Sequence, residues 1–238
     1  MNALRSCLLP QILLVVGSPL LLGIVELIHP QPHDLLRIDI QTWLAVHYAQ
    51  IALFPLVALA VAWWVRDQSG VAAAVCRIAM FVFGAAWTSW DAVAGVGTGI
   101  LIAAAGKSGG FEAWRGSIEA IWSHPIMGGG ASLFAVMGSI ALSVGTVAAG
   151  IVLKRLGHSW KPIAALVVVS FGVAVFQTHA WPGGPLTFGG IAIVSAWLLL
   201  ERVRRGIPND TAAQREHAAD DGCLRPDGGG HCRRSPDE

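Results

Sequence analysis

Six apolar runs constrain this chain more than any other feature, at about 8–28, 43–65, 72–104, 130–153, 162–180 and 186–201. Each qualifies, or nearly so, for the roughly 20 apolar residues that a helix needs to cross a bilayer. The expected fold class is all-α: a polytopic membrane helix bundle with six transmembrane helices. Composition agrees, because only 13% of residues are charged where a soluble domain carries about a quarter. The first run follows Arg5, continues to about Leu27 and lacks a small-x-small cleavage site. It therefore reads as an uncleaved first span. The third run is longer than a bilayer requires, which predicts tilt or projection beyond the lipid. Pro10, Pro19 and Pro55 fall inside runs and are expected to kink them. After Arg205 the composition turns to Asp, Gly, Arg and Pro. The expected division is a transmembrane domain over 1–205 and a disordered cytoplasmic tail over 206–238.

Charge predicts the orientation. Six spans put both termini on one side, together with Arg5, Arg66, Arg77, Lys154, Arg155, Lys161, Arg202, Arg204 and Arg205. The other side carries Arg37, Lys107 and Arg115. Lys and Arg collect on the cytoplasmic side, so both termini are expected in the cytoplasm and the protein in the inner membrane. Trp43, Trp114, Trp122 and Trp181 mark the outer interface; Trp63, Trp64 and Trp160 mark the inner one. Between the third and fourth runs, Phe111, Trp114, Ile118 and Ile121 recur at helical spacing with Glu112, Arg115 and Glu119 between them. That pattern predicts a short amphipathic helix on the outer surface. No basic stripe suits nucleic acid. The four cysteines form no disulfide framework, and Cys223, His231 and Cys232 lack the tight spacing of a metal site.

Threading the polar residues through this topology places His29, His33, His47, His124 and His179 at or near the outer face. At about 1.5 Å per residue, His179 stands roughly 27 Å from Lys161, and Asp91 about 21 Å from Arg77. A carboxylate inside a span costs a few kcal/mol, so Asp91 is expected to face the bundle interior and to have a partner. That partner relation serves either a ligand or proton-carrying role or a hydrogen bond holding two helices. Glu26 and His29, spaced i, i+3, share one helix face. Imidazole with carboxylate suits Zn, Fe, Cu or Ni, and imidazoles from two helices also suit haem. The candidate ligands of a transition metal or haem are therefore Glu26, His29, His47, Asp91, His124 and His179. The plainer alternative for His29 and His124, each before a proline, is that they cap helix ends. His33 and Asp34 are expected in solvent.

The combination of His29-Pro30, Trp90-Asp91-Ala92-x-Ala94-Gly95 and His124-Pro125 with Gly128-Gly-Gly130 resembles that of uncharacterised bacterial six-helix integral membrane proteins. The resemblance covers residues 8–202 and implies the architecture, not an activity. Three functional readings follow. The first is a membrane-embedded metal or haem site, with redox chemistry or metal-assisted hydrolysis if it is catalytic. The second is a small permease or proton-coupled transporter using Asp91, with Gly-rich breaks as gates. The third is a non-catalytic subunit or scaffold whose amphipathic segment docks a protein partner.

Overall fold

A computed structural model of the chain describes residues 9–31 and 34–205. Among them all regular structure is helical. In chain order the elements are α1 (Leu9–Leu27), α2 (Ile40–Trp63), α3 (Val71–Ser108), α4 (Phe111–Trp122), α5 (Leu133–Arg155), α6 (Trp160–Phe176) and α7 (Pro185–Arg204). Five of these, α1, α2, α3, α5 and α7, are long and apolar enough to cross a membrane. The run expected at 162–180 is shorter. Its helix is interrupted at Phe171 and stopped by Gln177 in the left-handed conformation (φ 52°). His179 consequently lies beyond α6 instead of closing it.

The fold comprises two units. Met1–Leu199 holds every feature discussed below, and Leu200–Glu238 is described through Arg205, with Arg205 paired to Glu201. The expected tail over 206–238 and His33 lie outside the described residues, as does Cys7.

Small residues set the helix spacing. The α3–α5 pairing is the most extensive in the bundle. It is antiparallel: Gly138 lies on the Trp87 indole and Gly145 on Met80. A Cβ at either glycine would collide with those side chains, which is how small residues let helices approach closely. Gly23 of α1 meets the backbone of Gly189 in α7 in the same way, and Gly84 of α3 packs on Pro55 and Ala58 of α2. Helix α2 continues through Pro55.

The centre of the bundle is apolar and aromatic. Leu22, Phe54, Phe83, Leu142, Phe188 and Ile191 are fully buried, and Phe54 stacks edge-on to Trp87 at 4.9 Å between ring centroids. Outward faces carry exposed Leu20, Leu21, Ile24, Leu59, Ile78, Phe81 and Ile193. Apolar area that remains outside at this density suits a lipid environment and not water. At one end of the bundle, which holds Arg66, Arg77, Lys154, Arg155 and Lys161, the Arg77 guanidinium donates to the carbonyls of Val65 and Gln68 (both 3.0 Å). The opposite end holds His29, His47, His124 and His179.

Three helical stretches widen into π turns: Leu13–Gly17, Asp91–Gly97 and Pro185–Gly189. The first answers Pro19, which lacks an N–H. There the Ser18 N–H bonds to the Leu13 carbonyl, and the Ser18 hydroxyl donates to the passed-over Leu14 carbonyl at 2.5 Å. A side-chain hydroxyl and a local π adjustment re-satisfy the backbone in the way a water-free setting demands.

Candidate metal centre

The non-basic end of the bundle gathers a buried polar cluster from three helices, α1, α2 and α3, and the α6–α7 turn. On α2, Trp43, His47, Gln50 and Phe54 follow i, i+4, i+7, i+11 and are all buried, so one helix face supplies them. Glu26 sits one residue before the end of α1, and His29 follows just past it. The Gln31 amide donates to the Trp181 carbonyl at 2.9 Å, holding the exit of α1 against the turn that carries His179. Gly184 tightens the same place. A Cβ there would strike the His179 carbonyl and come within 2.8 Å of Glu26 Cγ.

Two arrangements result. In the first, Glu26, His29 and His179 each offer a ligand atom, and these atoms lie within 4.8 Å of one another. Nδ1 of His29 donates to the Pro30 carbonyl at 2.8 Å; a carbonyl only accepts, so the proton of the neutral ring is on Nδ1. The Nε2 lone pair of His29 then faces Nε2 of His179, 3.1 Å away. Glu26 is fully buried; Oε1 accepts from Gln50 Nε2 at 2.8 Å, and Oε2 has no partner.

In the second arrangement, His47 Nδ1 donates to Asp91 Oδ1 at 2.5 Å, both side chains being almost wholly buried. His47 Nε2 and Asp91 Oδ2 are without partners. The His47 ring stands 4.9 Å from that of His29, centroid to centroid, nearly perpendicular. Its face rests on the backbone of Gly95, where any Cβ would overlap the imidazole. Asp91 and Gly95 both belong to the π turn of α3. The extra residue in that turn brings the carboxylate and the bare glycine to the same ring. Such turns recur at functional sites.

Tryptophans wall the cluster. Trp43 lies 4.4 Å from His47 and 5.5 Å from His29; Trp90 lies 4.8 Å from His179 and Trp87 6.1 Å. Their indole N–H groups are spent on backbone carbonyls: Trp43 on Gly95 (2.8 Å), Trp87 on Ala135 (3.0 Å) and Trp90 on Gly128 (2.5 Å). The rings are thus fixed and present faces and edges, not donors, to the histidines.

Five of the six residues read from the sequence meet here; His124 does not. It is exposed on the α4–α5 loop, where Nδ1 accepts from the N–H groups of Ile126 and Met127 (3.3 and 3.4 Å). His124 thus serves a turn well ahead of α5, which begins at Leu133. Asp34 is half-buried and accepts from the Leu36 N–H at 3.0 Å. Gln50, Trp87 and Trp90 were not singled out from the sequence. The signal for Gln50 was there: an amide in the apolar interior of α2, one turn from His47 on the same face.

His29 and His179 line a cavity of about 1320 Å³; Trp43, Trp87, Trp90 and Trp122 also form its wall. At its mouth, Arg115 of α4 grips Glu112 through two hydrogen bonds (2.9 and 3.0 Å). That guanidinium holds the Glu112 carboxyl below its ordinary range.

A metal ion fits the donor set. Two nitrogens at about 2.0–2.1 Å from one ion, in adjacent positions, stand roughly 3 Å apart, which is the separation of the two Nε2 atoms. The Glu26 carboxylate supplies a third, anionic donor. Ligands of one ion lie within about 4.2 Å of one another, so binding draws the carboxylate slightly inward. Haem fits the His29–His179 pair poorly. Trans axial nitrogens straddle a macrocycle at about twice the metal–nitrogen bond, near 4 Å. No family model, curated protein or solved structure matches the chain.

Proposed function

We propose that this is a multi-pass inner-membrane protein that binds a transition metal near its outer face, through Glu26, His29 and His179. In this reading α6 is a sixth, short crossing, both termini are cytoplasmic and the basic end of the bundle faces the cytoplasm, as the positive-inside bias requires. The observation that carries the metal assignment is the convergence of one ligand atom from each of those three residues within 4.8 Å, in a cluster where Glu26 also keeps a buried oxygen without a partner. An unpaired buried carboxylate oxygen is costly, and a cation offsets that cost.

The set of imidazoles and one carboxylate suits Zn, Fe, Cu or Ni. Three protein donors leave a coordination position open, as catalytic sites do. The two histidines that line the cavity place that position on its wall. Bound there, the metal supplies Lewis acidity or a redox centre. The chain's residues fix the imidazole tautomer at His29, hold Glu26 through Gln50, and exclude water on the bundle side. The His47–Asp91 pair stands behind the three ligands, its Nε2 the next donor in line.

The transport reading is less well supported. Beneath the cluster lie Leu22, Phe54, Phe83 and Phe188, each fully buried, so the polar groups end in an apolar floor.

The test is elemental analysis of protein purified without added chelator. We expect about one transition-metal ion per chain, lost in His29→Ala and His179→Ala variants that keep their helical circular dichroism, and retained in His124→Ala. A wild-type chain without bound metal, or one whose iron is accounted for by a Soret band, would overturn the proposal.

A further inference from the structure

The cavity that meets His29 and His179 has two kinds of wall. Toward the polar mouth it is lined by Gln31, Asp34, Arg115 and Glu119; along its other side it is lined by Val136 and Ile140 of α5 and Val173 and Ala174 of α6. Val136 and Ile140 lie one turn apart on one helix face and are 44% and 59% exposed. They belong at once to the cavity and to the apolar outer surface, where Val144, Val175 and Phe176 are also exposed.

The gap has a structural cause. Helix α5 packs on α6 chiefly through Trp160–Ser170, and much less through the turn and a half after the break at Phe171. The hydrogen bonds between the pair stop at the same level: Thr146 Oγ1 donates to Ser170 Oγ (2.8 Å), and Ser143 Oγ to the Ser170 carbonyl (3.3 Å). Beyond Phe171 the segment turns toward α7 instead, where the Val173 N–H donates to Thr187 Oγ1 at 3.0 Å. The first turns of α5 are thereby left uncovered on the side facing the cavity.

We propose that this opening is a lateral port, through which an amphiphile from the surrounding bilayer lays its hydrocarbon chain between α5 and α6 and brings an oxygen-bearing head to His29 and His179. The inference rests on the metal reading for what receives the head. A cation with an open position attracts an oxygen donor, and the chain segment occupies a groove that water would otherwise have to wet. A water-soluble substrate has no use for the Val136, Ile140 and Ala174 wall. An amphiphile uses both walls of one cavity, the combination of apolar lining and few convergent polar groups that defines ligand sites in general.

The experiment uses the full chain in nanodiscs and a photoreactive palmitate with a diazirine midway along its chain. We expect adducts concentrated on the peptides containing residues 136–140 and 173–174 and displaced by unlabelled palmitate. Ala174→Trp should weaken them about ten-fold, the factor for about 1.4 kcal/mol, with bound metal unchanged. Label spread over Ile24, Leu59, Phe81 and Ile193 in proportion to their exposure, or indifferent to palmitate and to Ala174→Trp, would overturn the port. The two proposals fail separately. Metal-bound protein with scattered label removes the port alone, whereas groove-centred label on metal-free protein supports the port and removes the metal assignment.

Discussion

Asp91 illustrates how one residue is read differently once its surroundings are known. By sequence it is a ligand, a proton carrier or a hydrogen-bond acceptor holding two helices; in the fold its Oδ1 accepts from His47 Nδ1 of α2 at 2.5 Å. A carboxylate bonded to the far nitrogen of an imidazole fixes that ring's tautomer and raises its basicity, and loss of such a partner weakens metal binding about 10–100-fold. His47 is not one of the three proposed ligands and reaches them by packing its ring on that of His29, so we expect Asp91→Leu to lower metal affinity by less than that, read by competition with a calibrated chelator. Asp91→Asn, which keeps an acceptor oxygen, should do less damage. Equal loss in both variants would show that charge, not orientation, is what His47 receives. At this scale the sequence was partly legible. Glu26 with His29 followed from i, i+3 spacing, and Asp91 from the cost of a carboxylate in an apolar run. Gln50 was overlooked because an amide carries no charge to draw attention. His124 was over-read because a histidine before proline looks the same whether it caps a turn or ligates an ion.

Among the elements, the glycines divide into those that meet a fixed group and those that meet a yielding one. Gly138 lies on the Trp87 indole, which is tied to the Ala135 carbonyl, whereas Gly145 lies on the terminal methyl of Met80. A thioether tip relocates easily; an anchored indole does not. Gly138→Ala is expected to cost about 1–3 kcal/mol, the usual range for overpacking, and Gly145→Ala less, measured by urea or SDS unfolding in mixed micelles. Equal costs would mean that the Trp87 hydrogen bond does not hold the ring. The helices themselves were well marked by their apolar runs, and the amphipathic spacing of Phe111, Trp114 and Ile118 foretold α4. The π turns were not foretold. A π turn differs from an α turn by one residue of register, decided by which side chain must meet which. The contact between Gly95 and His47 is set by tertiary packing. The early end of α6 at Phe176 has no glycine or proline to mark it: Gln177 adopts the left-handed conformation there, and the first breaker after it in the sequence is Pro182.

At the level of the whole molecule, hydropathy made the bundle plain, and Arg66, Arg77, Lys154, Arg155 and Lys161 fall at one end of it. Reporter fusions are expected to place the 67–70 turn in the cytoplasm and the 109–110 turn outside; the reverse would invert the proposed orientation. One further effect follows from α6. At about 1.5 Å per residue, Trp160–Phe176 reaches about 25 Å, against a hydrocarbon core of about 30 Å. With α6 crossing as proposed, the shortfall of about 5 Å would lie on one flank, and lipids there would compress or bend their head groups inward, at fractions of a kcal/mol per Å. Reconstituted in a series of phosphatidylcholines, the protein should melt highest in the shorter-chain members, and its annulus should be thinnest beside α6.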